Sequence, residues 1–152
     1  MHDAHAFTFE SATSANVEEY LAFQQLVAMP PWYFPTTEHE LALKEIIEHE
    51  MLLVREHTIL VACISFRIEA GGMIVHIADL AVLPSRRRRG IARIAMKHVL
   101  CELDEYPRVQ LLVHVENIPA RSLYRSLGFR SEDCWENYYE QGEHALLMVR
   151  CT

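Results

Sequence analysis

Apolar and polar positions follow two different rhythms along this chain. Near the amino terminus a short alternating segment is followed by two segments whose apolar residues recur at helical spacing. After residue 50 the pattern changes to β-branched and apolar runs that are separated by short polar turns. The chain is therefore predicted to follow the order β-α-α-β-β-β-α-β-α-β-β. Strands are expected over residues 6–10, 51–55, 59–68, 73–83, 109–115, 129–138 and 144–150.

Capping and turn residues suggest where these elements begin and end. Ser14 or Asn16 can cap the first helix, with Glu19 as a capping-box partner. Prolines within residues 29–35 end that helix, and a second capping box of Thr37 and Glu40 opens the next one. The later helices are expected after Gly90 and over residues 119–127, and turns are expected at residues 71–72, 128 and 141–142.

Length and composition narrow the class of protein. The length of 152 residues predicts a single domain over residues 1–152. The net charge of −7 argues against bulk nucleic-acid binding. No apolar run is long enough to span a membrane, and the first residues lack a secretory signal. The cysteine spacing indicates neither a metal site nor disulfides, so all four are expected to be buried thiols in a reducing cytoplasm.

A predicted strand runs directly into a helix between residues 80 and 93, with Pro84 and four arginines, Arg86 to Arg89, in the turn. The start of a helix offers amide donors and partial positive charge, which together hold a phosphate. Gly90 permits close approach of the backbone and Ala92 adds no bulk. Alternatives for the arginine run are a solvated or nucleic-acid-facing patch and a localisation signal, whereas a dinucleotide fingerprint would need more glycines. The strand-turn-helix context favours phosphate.

Two motifs in this region resemble those of the GNAT acetyltransferases. Arg87-x-x-Gly90-x-Ala92 is similar to their Q/R-x-x-G-x-G/A turn, and Asn117-x-x-Ala-x-x-Leu-Tyr124-x-x-Leu-Gly-Phe129 is similar to a second motif of the family. The resemblance extends over roughly residues 59–150. It implies an α/β (α+β) GNAT fold, with a central mixed, mostly antiparallel sheet, a splayed strand pair and about four flanking helices.

The resemblance also implies acetyl-CoA as the acetyl donor and places its contacts. The backbone of residues 80–82 would pair with the pantetheine arm, the amides of residues 88–93 would hold the pyrophosphate, and Asn117 would contact the cofactor arm or cap the next helix. The cofactor-binding residues expected in this way are Leu80, Ala81, Val82, Arg87, Arg88, Arg89, Gly90, Ile91, Ala92, Arg93 and Asn117.

The same resemblance gives Tyr124 the place of the family's general acid, which protonates the departing thiolate; packing within a helix is the alternative. The base is less defined. Many family members carry a glutamate eight residues before the motif proline, where this chain has His76, so His76 is the preferred base. Asp79 and His114 are the other candidates.

Within the family, the ribosomal-protein alanine and other protein N-terminal acetyltransferases are the nearest resemblance. Asn137-Tyr138-Tyr139 looks like their terminal hairpin, and Phe34-Pro35 resembles an element of their first loop. They usually place a base where this chain has Leu112. The acceptor is therefore expected to be a peptide amino terminus or a small-molecule amine such as a polyamine or aminoglycoside. A monomer or homodimer without nucleic-acid or membrane partners is expected, and a CoA-binding module without catalysis is the contrasting hypothesis.

Overall fold

Seven strands and four α-helices lie within residues 7–27 and 38–152, the parts of the chain that the computed structural model describes. They follow the order predicted from the hydrophobic pattern. The elements are β1 Phe7–Ser11, α1 Val17–Leu26, α2 His39–Glu48, β2 Glu50–Glu56, β3 Ile59–Ile68, β4 Ile74–Val82, α3 Ile91–Glu102, β5 Arg108–His114, α4 Ile118–Ser126, β6 Arg130–Glu140 and β7 Glu143–Cys151.

The strands form a mixed sheet in the order β1-β2-β3-β4-β5-β7-β6. Four of the recorded pairings are antiparallel: β1 with β2, β2 with β3, β5 with β7 and β6 with β7. β4 and β5 are parallel, and their register joins Ile74 through Ile77 with Arg108 through Leu111. The predicted mixed, mostly antiparallel sheet with about four helices is confirmed.

Backbone contacts group the chain into two compact units. Unit 1 contains residues up to 66 together with 79–96, and unit 2 contains residues 67–78 and 97–152. β4 and α3 each begin in one unit and end in the other. The prediction of a single domain over the whole chain stays a prediction, and the two units are described separately.

The core of unit 1 is formed by one face of α1 and by the strands β2 and β3. Tyr20 and Phe23, three residues apart on α1, are both almost completely buried, as are Leu53 and Cys63 on the strands. Burial of each large apolar side chain contributes about 1.5–3 kcal/mol. The Tyr20 hydroxyl donates to Glu45 Oε2 at 2.7 Å, which satisfies the one polar atom that this ring brings into the core. Burial, the Cys63 thiol and this hydrogen bond all raise the Tyr20 pKa.

Asn16 is the N-cap residue of α1, as one of the two predicted alternatives had it, but its side chain makes no capping hydrogen bond in that helix. Thr13 is the N-cap of a short 3-10 turn, Ser14–Asn16, and its side chain accepts from the Ala15 amide while its own amide donates to Asn16 Oδ1. The predicted capping box with Glu19 is wrong, because the Glu19 carboxylate binds Arg55 instead. The predicted features at residues 29–35 and 37 lie outside the described residues.

The core of unit 2 is formed by β5 and β7, which are buried on both faces of the sheet. Val109 and Val113 on β5 share one face with Met148 on β7, and Ala145 on β7 lies on the other face beside His114. β6, in contrast, is exposed along nearly its whole length. The β6–β7 hairpin turns at residues 141–142, where Gly142 has a φ of +85°, as the turn signal predicted.

The prediction that the cysteines are buried holds for only one of the four. Cys63 is buried, whereas Cys101, Cys134 and Cys151 are exposed, and all four are free thiols. Cys101 lies on the open side of α3, and the other two lie on β6 and β7. These three residues therefore depart from the general tendency of cysteine to be buried.

Candidate active site

The turn after β4 has the backbone shape that a phosphate site requires. A short 3-10 helix, Pro84–Arg86, follows the strand, and α3 then begins at Ile91. The Ile94 amide donates to the Gly90 carbonyl at 3.0 Å, so the amides of residues 91–93 precede this helical hydrogen bond. The segment therefore presents several amide donors at a helix start, where negative charge is favoured.

Two residues of this turn have left-handed backbone. Arg88 has a φ of +61° and Gly90 a φ of +77°. A Cβ built at Gly90 would meet no atom within 4 Å, so the glycine faces open space. Glycine at this position is required by the backbone angle and not by crowding. The open space beside Gly90 is consistent with the predicted role of the turn as a cradle for a diphosphate.

The arginine side chains of the turn differ in what they bind. Arg86 Nε donates to Glu56 Oε2 at 2.9 Å, and Arg89 makes two bonds to the same carboxylate, at 2.7 and 3.3 Å. Arg87 Nε donates to the Val82 carbonyl at 3.3 Å, and the Arg88 side chain is exposed. Two of the four cations are thus partly neutralised by one acid. Consistent with these bonds, Arg89 and Arg86 lower the pKa of Glu56.

The second motif lies in unit 2 and forms α4. The Asn117 side chain accepts from the Ala120 amide at 3.3 Å and caps the helix, so the structural role foreseen for this residue is present. Tyr124, on the same helix, is buried and packs against Phe129, with ring centroids 5.9 Å apart. Gly128, with a φ of +93°, follows the end of α4 and lies between Tyr124 and Phe129 in sequence. Tyr124 therefore has a packing role whatever its chemistry.

His76 belongs to a polar network on one face of unit 2. Its register partner across the parallel pair is Gln110, whose amide nitrogen lies 3.0 Å from His76 Nδ1. Arg108 Nε donates to the Gln110 oxygen at 2.8 Å, which leaves the Gln110 nitrogen as the donor to His76. His76 Nδ1 therefore accepts, and Nε2 donates to the Glu69 carboxylate.

His114 forms a similar arrangement at the end of β5. The Glu116 amide donates to His114 Nδ1 at 3.0 Å, so Nε2 carries the proton that is shared with Glu143. The His114 ring is almost completely buried and lies 5.5 Å from the ring of Tyr139. Both histidines thus combine a donor at Nδ1 with a carboxylate at Nε2. Of the other base candidates, Asp79 lies half-buried on β4 in unit 1, and the half-buried Leu112 offers no proton acceptor.

Aromatic side chains of the terminal hairpin continue from His114. Tyr139 meets Tyr138 edge to face, with centroids 5.0 Å apart, and Tyr138 lies 5.7 Å from Trp135. Burial, followed by the neighbouring Tyr138, raises the pKa of Tyr139 to about 12. Asn137, with a φ of +55°, accepts from the Gly142 amide and shapes the hairpin end that presents these rings.

The predicted site residues thus fall into two sets. Residues 80–82 and 87–93 lie within one stretch of unit 1, whereas in unit 2 His76 lies on β4 and both Asn117 and Tyr124 belong to α4. The sequence interpretation missed Glu56, Glu69 and Glu143, the three carboxylates that hold the turn and the two histidines. No local motif marks these acids. In residues 7–27 and 38–152, no group of acidic, histidine or cysteine side chains is arranged to hold a metal ion.

A family model and several curated relatives match this chain in sequence. The family model of the GNAT acetyltransferases matches residues 18–129. An N-alpha-acetyltransferase of Saccharolobus solfataricus is 36% identical over 78 residues, covering 49% of this chain and 47% of that protein. A ribosomal protein bS18 alanine N-acetyltransferase of Salmonella typhimurium is 39% identical over 76 residues, covering 47% and 51%. The chain therefore matches about half the length of these curated relatives.

The fold comparison covers nearly the whole chain. The crystal structure of the ribosomal-protein-S18-alanine N-acetyltransferase from Escherichia coli superposes with a TM-score of 0.82 at 22% identity, covering 95% of this chain and 93% of that one. This similarity shows a shared fold. With the family match over most of the sequence, the chain belongs to the GNAT family of acetyltransferases. The donor that this family uses is acetyl-CoA. No helix in the described residues has the length and apolar character needed to cross a membrane.

Proposed function

We propose that this protein is an acetyl-CoA-dependent N-acetyltransferase whose acceptor is the amino-terminal amine of a peptide or protein. The observation that carries the proposal is the turn from Arg87 to Ala92, in which a glycine with left-handed backbone faces open space at the start of α3. Family membership supports acetyl transfer. The acceptor is supported by the relatives, whose names describe acetylation of α-amines and of a ribosomal-protein alanine.

Unit 1 would hold the donor. The amides from Arg88 to Arg93 would bind the pyrophosphate, since they lie at a helix start beside the open side of Gly90. The backbone of residues 80–82 would bind the pantetheine arm. Because the Val82 carbonyl already accepts from Arg87, Leu80 and Ala81 would supply the remaining backbone contacts. Asn117 would add a side-chain contact while it caps α4.

Bound acetyl-CoA supplies the acetyl group as an activated thioester. Tyr124 would act as the general acid, because a phenol can deliver a proton to a leaving sulfur and its ring is held by packing against Phe129. His76 would act in removing the proton from the acceptor amine. Its Nδ1 is engaged by Gln110, so the proton would pass either to His76 after Gln110 moves or to Glu69, which shares the Nε2 proton.

A CoA-release assay with a matched acceptor panel tests this proposal. The panel contains a short peptide with a free amino-terminal alanine, the same peptide with a blocked amino terminus, and a polyamine and an aminoglycoside. We expect release with the free peptide and none with the blocked one. Release of CoA only with the small amines would show that the protein is an acetyltransferase whose acceptor is a small-molecule amine and not a peptide. Binding of acetyl-CoA without turnover on any amine would favour a non-catalytic CoA-binding module.

A further inference from the structure

Glu56 ties together the two ends of the proposed diphosphate turn. It is the last residue of β2 and is nearly buried, with its side chain 11% exposed. Its carboxylate accepts from Arg86, at the end of the 3-10 helix, and from both terminal nitrogens of Arg89, next to Gly90. Arg87 and Arg88 lie between the two anchored residues. The Glu56 carboxylate therefore holds Arg86 and Arg89, the two ends of the four-residue segment 86–89, on one acceptor group.

The anchored segment contains backbone that would not adopt this shape without support. Arg88 has a φ of +61°, a conformation that is unfavourable for residues other than glycine. Such backbone persists where surrounding contacts over-determine it. The three hydrogen bonds to Glu56 on either side of Arg88 are contacts of this kind, and hydrogen bonds between charged groups are the stronger ones.

We propose that Glu56 is a positioning residue for the acetyl donor, holding the amides of the turn from Arg86 to Gly90 in the arrangement that binds a diphosphate. The inference rests on the proposed function, because it assumes that acetyl-CoA binds at this turn. Glu56 does not touch the donor in this scheme. It acts through Arg86 and Arg89, whose side chains it holds while the backbone between them faces the ligand.

Positioning and simple charge predict opposite outcomes when this carboxylate is removed. Glu56 places a negative charge close to an anion site and partly neutralises two arginines. If net charge governed affinity, Glu56→Gln would tighten acetyl-CoA binding, because it removes repulsion and releases two cations. If the shape of the turn governs affinity, the same substitution weakens binding, because Arg88 can then relax out of its left-handed conformation.

The chain offers a matched control within the same unit. Arg55, next to Glu56 in sequence, donates two hydrogen bonds of 2.6 and 3.1 Å to the Glu19 carboxylate. Glu19→Gln therefore removes one negative charge and a carboxylate–guanidinium pair without touching residues 86–90. We expect Glu56→Gln to raise the Kd for acetyl-CoA by roughly tenfold or more, which is about the effect of losing one hydrogen bond to a charged group. Glu19→Gln should leave the Kd unchanged.

Calorimetric titration of acetyl-CoA and steady-state kinetics supply the measurements. The KM for acetyl-CoA should rise in Glu56→Gln, whereas kcat at saturating donor and the KM for the amine should stay near the parent values. Glu56→Asp, which keeps the charge, should recover part of the affinity. Arg86→Gln removes the other partner of the same contact and should also weaken the binding of acetyl-CoA. This variant keeps the test available if Glu56→Gln does not fold.

Unchanged or tighter binding in folded Glu56→Gln would overturn the inference, as would an equal loss in Glu19→Gln. If Glu56→Gln does not fold, unchanged binding in Arg86→Gln would overturn it. A parent protein that does not bind acetyl-CoA at all would instead contradict the proposed function, so the two failures are distinguishable.

Discussion

The geometry of Gly90 makes a quantitative prediction for Gly90→Ala. Alanine in left-handed backbone costs about 1–2 kcal/mol, and the loss of chain entropy in the unfolded state returns about 0.4–1 kcal/mol of this. No neighbouring atom lies within 4 Å of the added methyl group, so no steric cost is added. The net destabilisation should be about 1 kcal/mol, which lowers the Tm of a chain of this size by about 2–4 °C.

Acetyl-CoA binding should suffer far more than stability in this variant. The methyl group would occupy the open side of the turn, where the diphosphate is proposed to lie, so the Kd should rise by at least about tenfold, and Gly90→Glu should abolish binding by adding bulk and negative charge. Gly72→Ala is the control, because Gly72 has a φ of +68° and equally open surroundings. Thermal unfolding should show similar losses for the two alanine variants. Parent-like acetyl-CoA affinity in folded Gly90→Ala would refute the cradle.

Further variants separate chemistry from binding. Tyr124→Phe keeps the buried ring, so acetyl-CoA affinity should persist while kcat falls by about 10²- to 10⁴-fold; turnover within twofold of the parent would reassign the residue to packing. His76→Ala should lower kcat/KM most near neutral pH and leave donor binding intact, with partial recovery at higher pH. If Asp79→Asn or His114→Ala lowers kcat/KM more than His76→Ala does at every pH, the base is not His76. Because its arginine partners lower the pKa of Glu56 below the ordinary value of 4.5, its stabilising contribution is complete above that value and is lost as the pH falls through the lowered pKa. Acid unfolding curves of the parent should therefore be steeper than those of Glu56→Gln as the pH falls below 4.5.

Local chemistry explains why most of the fold could be predicted from the sequence. The turn at residues 71–72, the helix end at Gly128 and the cap at Asn117 each depend on residues within a few positions of one another. Element order followed from changes in hydrophobic period. Asn16 was correctly among the predicted caps of α1, whereas the 3-10 turn before it and its cap Thr13 were missed, because Thr13, Ser14 and Asn16 are all good capping residues.

The missed parts of the site depend on contacts between distant positions. Glu56 lies 30 residues before Arg86, and His114 lies 29 residues before Glu143. A single acid at a strand end gives no sign of its partner, since exposed glutamates are common in any chain. The sequence therefore gives no sign that one carboxylate binds two of the four arginines in the turn.

The one buried thiol, Cys63, can serve as a probe of local unfolding in this fold. Cys63 is 2% exposed, and burial, with lesser effects from Asp79 and Glu45, raises its pKa well above the ordinary value. Reagents that attack thiolates should label the three exposed cysteines of the native chain quickly and reach Cys63 only when the core around Tyr20 and Leu53 separates. The slow fourth labelling event would then measure how often unit 1 opens under native conditions.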